Sequence, residues 1–315
     1  MIDPRRLALL REVVRHGSFS GAAKALYVTQ PAVSRQVAKL EREVGVRLLE
    51  RTPGGLRLTD AGRIALDRAE AIAGQLAAAE AELEAIATLG AGRLRLCAFP
   101  TAASTLVLKG IRVFRKRHPG VELSFVEAGT RAAVQRLREG DVDLALAFRE
   151  RGRAAPSAWH GLHAEHLLVD PLYVALAKDH RLAAKDAIRL NELRDEPWIQ
   201  AVQAGPTGIT YRACLAAGFE PRIVHLSDHA HITQGLVAAG VGVTLISGLS
   251  VPEARKDIAI RPLRPSGPER DVFAVSLPGS LRPPPIGTMV GILRELAPRY
   301  GRKSATVRPS SVAAS

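Results

Sequence analysis

The chain has little cysteine, methionine or aromatic residue: of 315 residues two are cysteine, two are methionine, and aromatics make up 4%. Cys97 and Cys214 stand far apart, which excludes a disulfide framework and the paired thiol spacing of a structural zinc site. Each lies in an apolar stretch and reads as a core residue. No apolar run approaches the roughly 20 residues of a membrane helix, and Met1 to Pro4 are too short and polar for a secretory leader. A cytoplasmic protein with no membrane partner is the expectation. Catalytic patterns are missing as well. His160, His163 and His166 stand near no nucleophile in a context that sets its geometry. Gly152, Gly240 and Gly242 fit no phosphate-cradling fingerprint, and Asp141 with Asp143 reads as a turn before a strand. Neither an enzyme nor a resident cofactor or metal is expected.

Positive charge is plentiful. Lysine and arginine number 44 against 31 acidic residues, a formal net charge of +13, which suits a polyanionic partner. The length accommodates two or three domains with cores of their own.

The stretch from Phe19 to Gly62 organises the N-terminal part. A first short helix starts at about Ser20, a suitable N-cap, and sets Ala22, Ala23 and Leu26 on one side. Tyr27 and Val28 make a turn, and a second helix begins at Thr29 or Gln30, where threonine can accept a first-turn amide and Pro31 needs no donor. Along it Val33, Val37 and Leu40 face inward while Ser34, Arg35 and Lys39 stay outside. A small polar and basic face of that kind fits the major groove, although any helical hairpin shares the periodicity. Leu7, Leu10, Val13 and Val14 supply a preceding amphipathic helix. After Gly45, alternation around Pro53, Gly54 and Gly55 predicts a two-stranded wing with Arg51 and Arg57 close to its tip, placed to meet phosphate.

The ordered pattern Phe19, Ala22, Ala23, Thr29, Gln30, Pro31, Ala32, Val33, Ser34, Leu40, Glu41, Gly45, Leu48, Leu49, Arg51, Leu58, Thr59, Gly62 resembles the N-terminal domain of LysR-type transcriptional regulators. The resemblance implies a winged helix-turn-helix over 1–58 that binds double-stranded promoter DNA. It puts Gln30, Pro31, Ser34 and Arg35 in the part of the reading helix that enters the groove. Gln30, Ser34 and Arg35, with Lys39, become candidate base or phosphate contacts, Thr29 and Pro31 shape the helix start, and Arg51 and Arg57 are assigned to phosphate.

Residues 59–89 are rich in alanine, leucine, glutamate and arginine and contain no proline, so helix propensity is high throughout. Ala65, Ala69, Ile72, Leu76, Ala79, Leu83 and Ile86 repeat at spacings of four and three, an a/d seam. In the resembled family this is the linker helix through which subunits dimerise. A homodimer is expected, and the family's habit of forming dimers of dimers makes a homotetramer the larger expectation.

From Arg93 the pattern becomes α/β. Short apolar runs (LRLCAF, VELSFVEA, DLALAF, then LYVALA, RIVHL, VGVTLI) alternate with amphipathic helices, and the strands are apolar enough for a sheet covered on both faces. GRLRLCAFP, FRKRHPGVEL, LREGDVDLALAF and GLVAAGVGVTLI resemble landmarks of the same family's effector domain. That domain is two-lobed and resembles type 2 periplasmic binding proteins. The resemblance implies a domain over 92–300, with lobe I at about 92–167 and 267–300 and lobe II at about 168–266. The chain returns to lobe I near Arg270, so two crossovers form a hinge. Residues 301–315 have the composition of a disordered tail.

Ligands of α/β folds gather at strand ends and helix N-termini. Positions matching the family there are Thr101, Ser104, Gly129, Thr130, Gly205, Thr207, Gly208 and His231, a set of hydroxyls, amides and one imidazole suited to a small-molecule effector. Ordinary helix capping is the competing role for the hydroxyls. His225, His229 and His231 with Asp228 have no recognised metal spacing. Ser247 and Gly248 replace the leucine and proline usual in the family, predicting a more polar and flexible turn. Leu277 to Pro285 reads as a loop, with Thr288 to Leu296 as a closing helix. The function expected is effector-modulated regulation at a promoter, with RNA polymerase as a further partner. An effector-independent regulator or architectural DNA-binding protein is the alternative.

Overall fold

The computed structural model describes residues 2–52, 55–87, 92–202, 205, 208–279 and 284–300. The wing tip at Pro53 and Gly54, the end of the linker segment at 88–89, Thr207 and the tail 301–315 lie outside the described residues.

The head is built from three helices and a ribbon. Helix α1 (Pro4–Arg15) buries Leu7, Leu10 and Val13, and its N-cap Asp3 carboxylate accepts from the Arg5 amide at 2.9 Å. Helix α2 (Phe19–Ala25) is capped by Ser18 rather than Ser20: the extended backbone at Ser18 lets its Oγ accept from the Gly21 amide at 3.0 Å, whereas Ser20 already lies in the first turn. In the turn Tyr27 takes a φ of 55°, rare for a non-glycine residue, and is almost wholly exposed. Helix α3 (Gln30–Val44) buries Val33, Val37 and Leu40 as its period requires and ends at left-handed Gly45. Strands β1 (Leu49–Thr52) and β2 (Gly55–Leu58) pair antiparallel. Glu41 fastens this wing to α3, its Oε1 accepting the Leu48 and Leu49 amides at 2.8 and 3.2 Å.

Helix α4 (Asp60–Ala87) begins where the Thr59 hydroxyl accepts the Gly62 amide at 2.9 Å. Its first turns belong to the head. Ala69 is buried in the head's core, with Ala61 and Ala65 packed against it. The seam expected from residue 65 onward is therefore corrected at its start: Ala65 and Ala69 face α4's own domain, because α1 covers them. Ile72, Leu76, Ala79 and Leu83 are exposed further along; Ile86 lies on the same helix.

The second domain opens with β3 (Arg93–Ala98), followed by a turn of helix α5 (Pro100–Ala102) that runs through a π-helical turn at Ala103–Val107 into α6 (Leu108–Arg117). Strand β4 (Glu122–Glu127), α7 (Thr130–Glu139) and β5 (Leu144–Glu150) complete the first round. The next strand, β6 (His163–Ala177), is the long one, and β7 (Ile188–Arg189), β8 (Pro197–Gln200), α8 (Ile209–Ala216), β9 (Arg222–Leu226), α9 (Ala230–Ala238) and β10 (Thr244–Ser247) follow. β11 (Ile258–Arg261), β12 (Leu263–Arg264), β13 (Glu269–Ser276) and α10 (Pro284–Leu296) close the chain. The main sheet runs β10-β6-β13-β5-β3-β4, with β11 also on β6.

One strand, β6, threads both lobes. β6 pairs with β13 as far as Pro171 and with β10 from Leu172, so the changeover falls inside one continuous strand. β13 brings the chain back and pairs with β5 through Arg270. In lobe I the sheet is covered on both faces, as strand composition implies: Leu94, Leu96 and Leu144 pack with α6 and α10, while Cys97, Ala145 and Ala147 pack with α7 and Trp159.

Two local expectations change. Gly248 is a site of close approach, not of flexibility: a Cβ there would stand 3.1 Å from Asp170 Oδ1 and 3.3 Å from the Pro171 carbonyl oxygen. Helix α10 starts at Pro284, four residues before Thr288, because proline needs no amide partner in a first turn. Among the described residues no helix is long and apolar enough to cross a membrane.

Candidate nucleic-acid interface and interlobe cleft

On the head, burial of Val33, Val37 and Leu40 turns the opposite side of α3 outward. Arg35 and Lys39 are exposed there, Gln30 and Ser34 are half-buried, and Pro31 is exposed in the first turn. Thr29 occupies the N-cap with extended backbone, but its hydroxyl makes no capping bond. Between α3 and the wing lies a depression of about 570 Å³, lined by Ser34, Ala38 and Glu41 on one side and Arg47, Glu50 and Leu56 on the other. Arg57 is exposed on β2 opposite Glu50, and Arg51 occupies the register position opposite Leu56. The head thus presents a helix face with two free-standing cations next to a ribbon. That arrangement admits a helix to a groove while the ribbon meets backbone phosphate.

The cleft is organised by residues that sequence reading passed over. Asp170 on β6 is fully buried, as is nearly all of Arg270 on β13. Arg270 Nε donates to Asp170 Oδ2 at 3.0 Å, its Nη2 donates to the same oxygen, and Asp170 Oδ1 accepts the Leu249 amide at 3.0 Å. The guanidinium lies over Phe148 at 4.4 Å and Phe99 at 5.3 Å, and these rings meet edge to face at 4.9 Å. A second ion pair links the lobes, Arg212 on α8 donating to Glu150 at the end of β5 at 2.8 Å. A lone acid inside the apolar run LLVDPLYVALA and a lone base inside ERDVFAVS are the available signal, since a buried charge needs a partner. What sequence lacks is the register that makes them neighbours.

The expected cleft residues fall into two groups. Thr101 joins the network, its Oγ1 accepting from Arg270 Nη2 at 3.1 Å, and Thr130 Oγ1 accepts the Phe148 amide at 3.2 Å. Both hydroxyls thus serve the fold, Thr101 on Arg270 and Thr130 on Phe148. Gly205 has a φ of 50°, its carbonyl accepts from Gln200 Nε2 at 3.0 Å and from the Gly208 amide at 3.2 Å, and Gly208 caps α8. Ser104, Gly129 and His231 are exposed, on the π turn, at the α7 N-cap and in the first turn of α9.

His229 caps α9, and its amide donates to Ser227 Oγ at 3.2 Å. Among the described residues no group of three or more histidine, cysteine or acidic side chains is arranged to hold a metal ion. Both cysteines are buried. Burial pushes the Cys214 thiol up to about 12 and raises that of Cys97 as well. Because the thiolate is the nucleophile, native protein at pH 8 is expected to resist iodoacetamide at both sites and to react at both in urea. Mass spectrometry of the alkylated peptides measures this.

Residues 4–63 match the model of the bacterial regulatory helix-turn-helix proteins of the lysR family, and residues 87–298 match the LysR substrate binding domain. The HTH-type transcriptional regulator AlsR of Bacillus subtilis is 32% identical over 264 residues, covering 82% of this chain and 85% of its own. Among solved structures, HinK of Pseudomonas aeruginosa, a LysR family transcriptional regulator, is 25% identical with a TM-score of 0.56, covering 94% of this chain and 98% of its own. A full-length OxyR variant from Pseudomonas aeruginosa shares the fold with a TM-score of 0.63 at 24% identity, covering 93% and 95%. With a winged helix-turn-helix head, a long helix and a two-lobed α/β domain matched along nearly its whole length, the chain belongs to the LysR family and is a DNA-binding transcriptional regulator, not an enzyme.

Proposed function

We propose that this regulator's promoter contacts are modulated by a small molecule bound between the lobes. The observation that supports it best is the meeting of Thr101, Arg270, Asp170, Phe99 and Phe148 where β6 passes between the lobes and β13 begins. A ligand touching this group contacts the hinge itself and can favour one lobe arrangement over another, as differential binding to two states requires. Thr101, Ser104, Gly129, Thr130, Gly205, Thr207, Gly208 and His231 are the proposed contacts. Exposed Ile72, Leu76 and Leu83 on α4 support a homodimer seam, and two heads related by a two-fold axis would read two half-sites. A homotetramer and a contact with RNA polymerase extend the same reading.

Thr29, Gln30, Pro31, Ser34, Arg35, Lys39, Arg51 and Arg57 are proposed at the DNA interface. Arg35→Ala is expected to weaken operator binding by ~1–3 kcal/mol if it reads a base, and to leave affinity for unrelated duplex nearly unchanged. Fluorescence anisotropy on both duplexes checks this; equal losses assign Arg35 to phosphate. Effector control is tested by mapping genomic binding sites and titrating metabolites of the neighbouring pathways on the promoter found. Binding of a metabolite without any change in footprint, bending or transcription leaves the effector-independent regulator as the reading.

A further inference from the structure

Head and effector domain also touch directly, away from the cleft. Arg138 near the end of α7 donates through Nη1 to Glu70 Oε2 on α4 at 2.9 Å, with side-chain exposures of 14% and 20%. Gly74, one turn on, packs on Leu277, whose side-chain carbons would lie 2.8 Å from a Cβ there. Gln75 Nε2 donates to the Pro278 carbonyl at 3.2 Å, and Arg15 of α1 stands 3.9 Å from Glu139. This contact is small and mostly polar.

We propose that it is a releasable clasp, in which lobe I holds the DNA-binding head of its own chain at a set angle through Arg138 and Glu70 and frees it when that pair opens. Arg138 is suited to be the fixed jaw. Its Nε and Nη2 donate to the Ala158 and His160 carbonyls at 2.8 and 2.6 Å, so it stays in place on lobe I when Glu70 departs. Glu70 is the costly jaw. Burial raises its carboxyl above the usual carboxylate range against the lowering by Arg138; Asp67 on the same helix adds to the rise and Arg11 of α1 opposes it. Partial burial of a carboxylate opposes the gain from its ion pair, which is what a device with two populated states needs.

The clasp stands at one end of a rod. Helix α7 begins at Thr130, whose hydroxyl holds the Phe148 amide beside the cleft, and reaches Arg138 and Glu139 at its other end, about 12 Å along the axis at the usual rise. A displacement of α7 at the cleft is delivered to the Glu70 contact. That coupling rests on the effector reading; the clasp itself does not.

A cysteine pair reads the closed state without any effector. Gly74→Cys with Leu277→Cys places two thiols in contact, and the second substitution removes the side chain that the first would strike. Oxidation by copper phenanthroline should give an intrachain disulfide, seen as a chain of monomer mass that retains only the Cys97 and Cys214 thiols when titrated in urea. Adding Arg138→Ala should slow its formation at least about tenfold, because a half-buried carboxylate loses its Arg138 partner. Adding Glu70→Gln, which removes the charge and keeps an acceptor, should leave the rate equal or faster. The oxidised protein should protect a different length of operator DNA from its reduced form. Equal rates with and without Arg138, a bridge joining two chains, or identical footprints would each overturn the proposal. Hydrogen exchange of the 70–76 amides in the cysteine-unmodified Arg138→Ala protein is an independent measure: faster exchange than wild type is expected, and unchanged exchange would count equally against the clasp.

Discussion

Gly62→Ala is expected to abolish DNA binding by unfolding the head while the effector domain stays folded. A Cβ at residue 62 would lie 2.0 Å from the Leu48 carbonyl oxygen and 2.9 Å from its carbon. That oxygen is backbone and cannot turn aside. It already accepts the Thr59 amide at 3.1 Å, the bond that closes the wing onto α4, and the Gly62 amide in turn donates to the Thr59 hydroxyl at 2.9 Å. Relief must therefore come from moving Leu48, which is 1% exposed in the head's core, or from tilting α4 away from the wing. Overpacking costs about 1–3 kcal/mol and more where backbone must shift, while a core of about 60 residues rarely supplies more than ~3–5 kcal/mol in total. The two magnitudes are comparable, so the head should be largely unfolded. Electrophoretic mobility shift is expected to show no operator complex, and urea denaturation followed by Trp159 and Trp198 fluorescence, both tryptophans lying in the second domain, should retain its midpoint. An operator complex of wild-type affinity would show that the wing can retreat at little cost.

Asp170→Ala should be the most destabilising single change in the effector domain. It leaves Arg270 pressed between Phe99 and Phe148 with no counter-ion, and deprives the Leu249 amide of its acceptor. Removing one partner of a buried pair costs about 3–5 kcal/mol, a large share of the roughly 5–15 kcal/mol by which domains are stable. Urea denaturation followed by the same tryptophans should show a much lower midpoint, with operator binding by the head surviving at temperatures below the transition. The double variant Asp170→Ala with Arg270→Met should recover part of the loss, because it removes the orphaned charge together with its partner. If the single and double variants were equally unstable, packing rather than charge pairing would be what Asp170 supplies.

Periodicity located most of the elements. The inward set Val33, Val37 and Leu40, the wing around Gly55, the helix from Asp60 and the alternating strands and helices from Arg93 are local patterns, and local patterns are what spacing and turn residues report. Cap identity was less legible. Ser18 and Ser20 both have a suitable hydroxyl, and only the extended backbone at Ser18 decides between them. The heptad-like repeat in α4 was ambiguous for a related reason. Ala65 and Ala69 have the same period as Ile72 and Leu76, but α1 takes the first pair into the head.

By itself, then, the sequence determined the class of molecule: two chemically distinct domains joined by a long helix, with a basic helix face prepared for DNA. Such features depend on residues close together in the chain. Tertiary structure alone decided the rest. Asp170 and Arg270 are 100 positions apart, Glu70 and Arg138 are 68 apart, and Glu150 and Arg212 are 62 apart. Each pair is chosen by strand register or domain packing, which no local spacing encodes. Gly62 and Gly248 look like ordinary glycines until the backbone of Leu48 and the carboxylate of Asp170 are brought against them. Charge partners and close approaches are properties of where the chain returns, and they determine how the head is held and how the hinge is built.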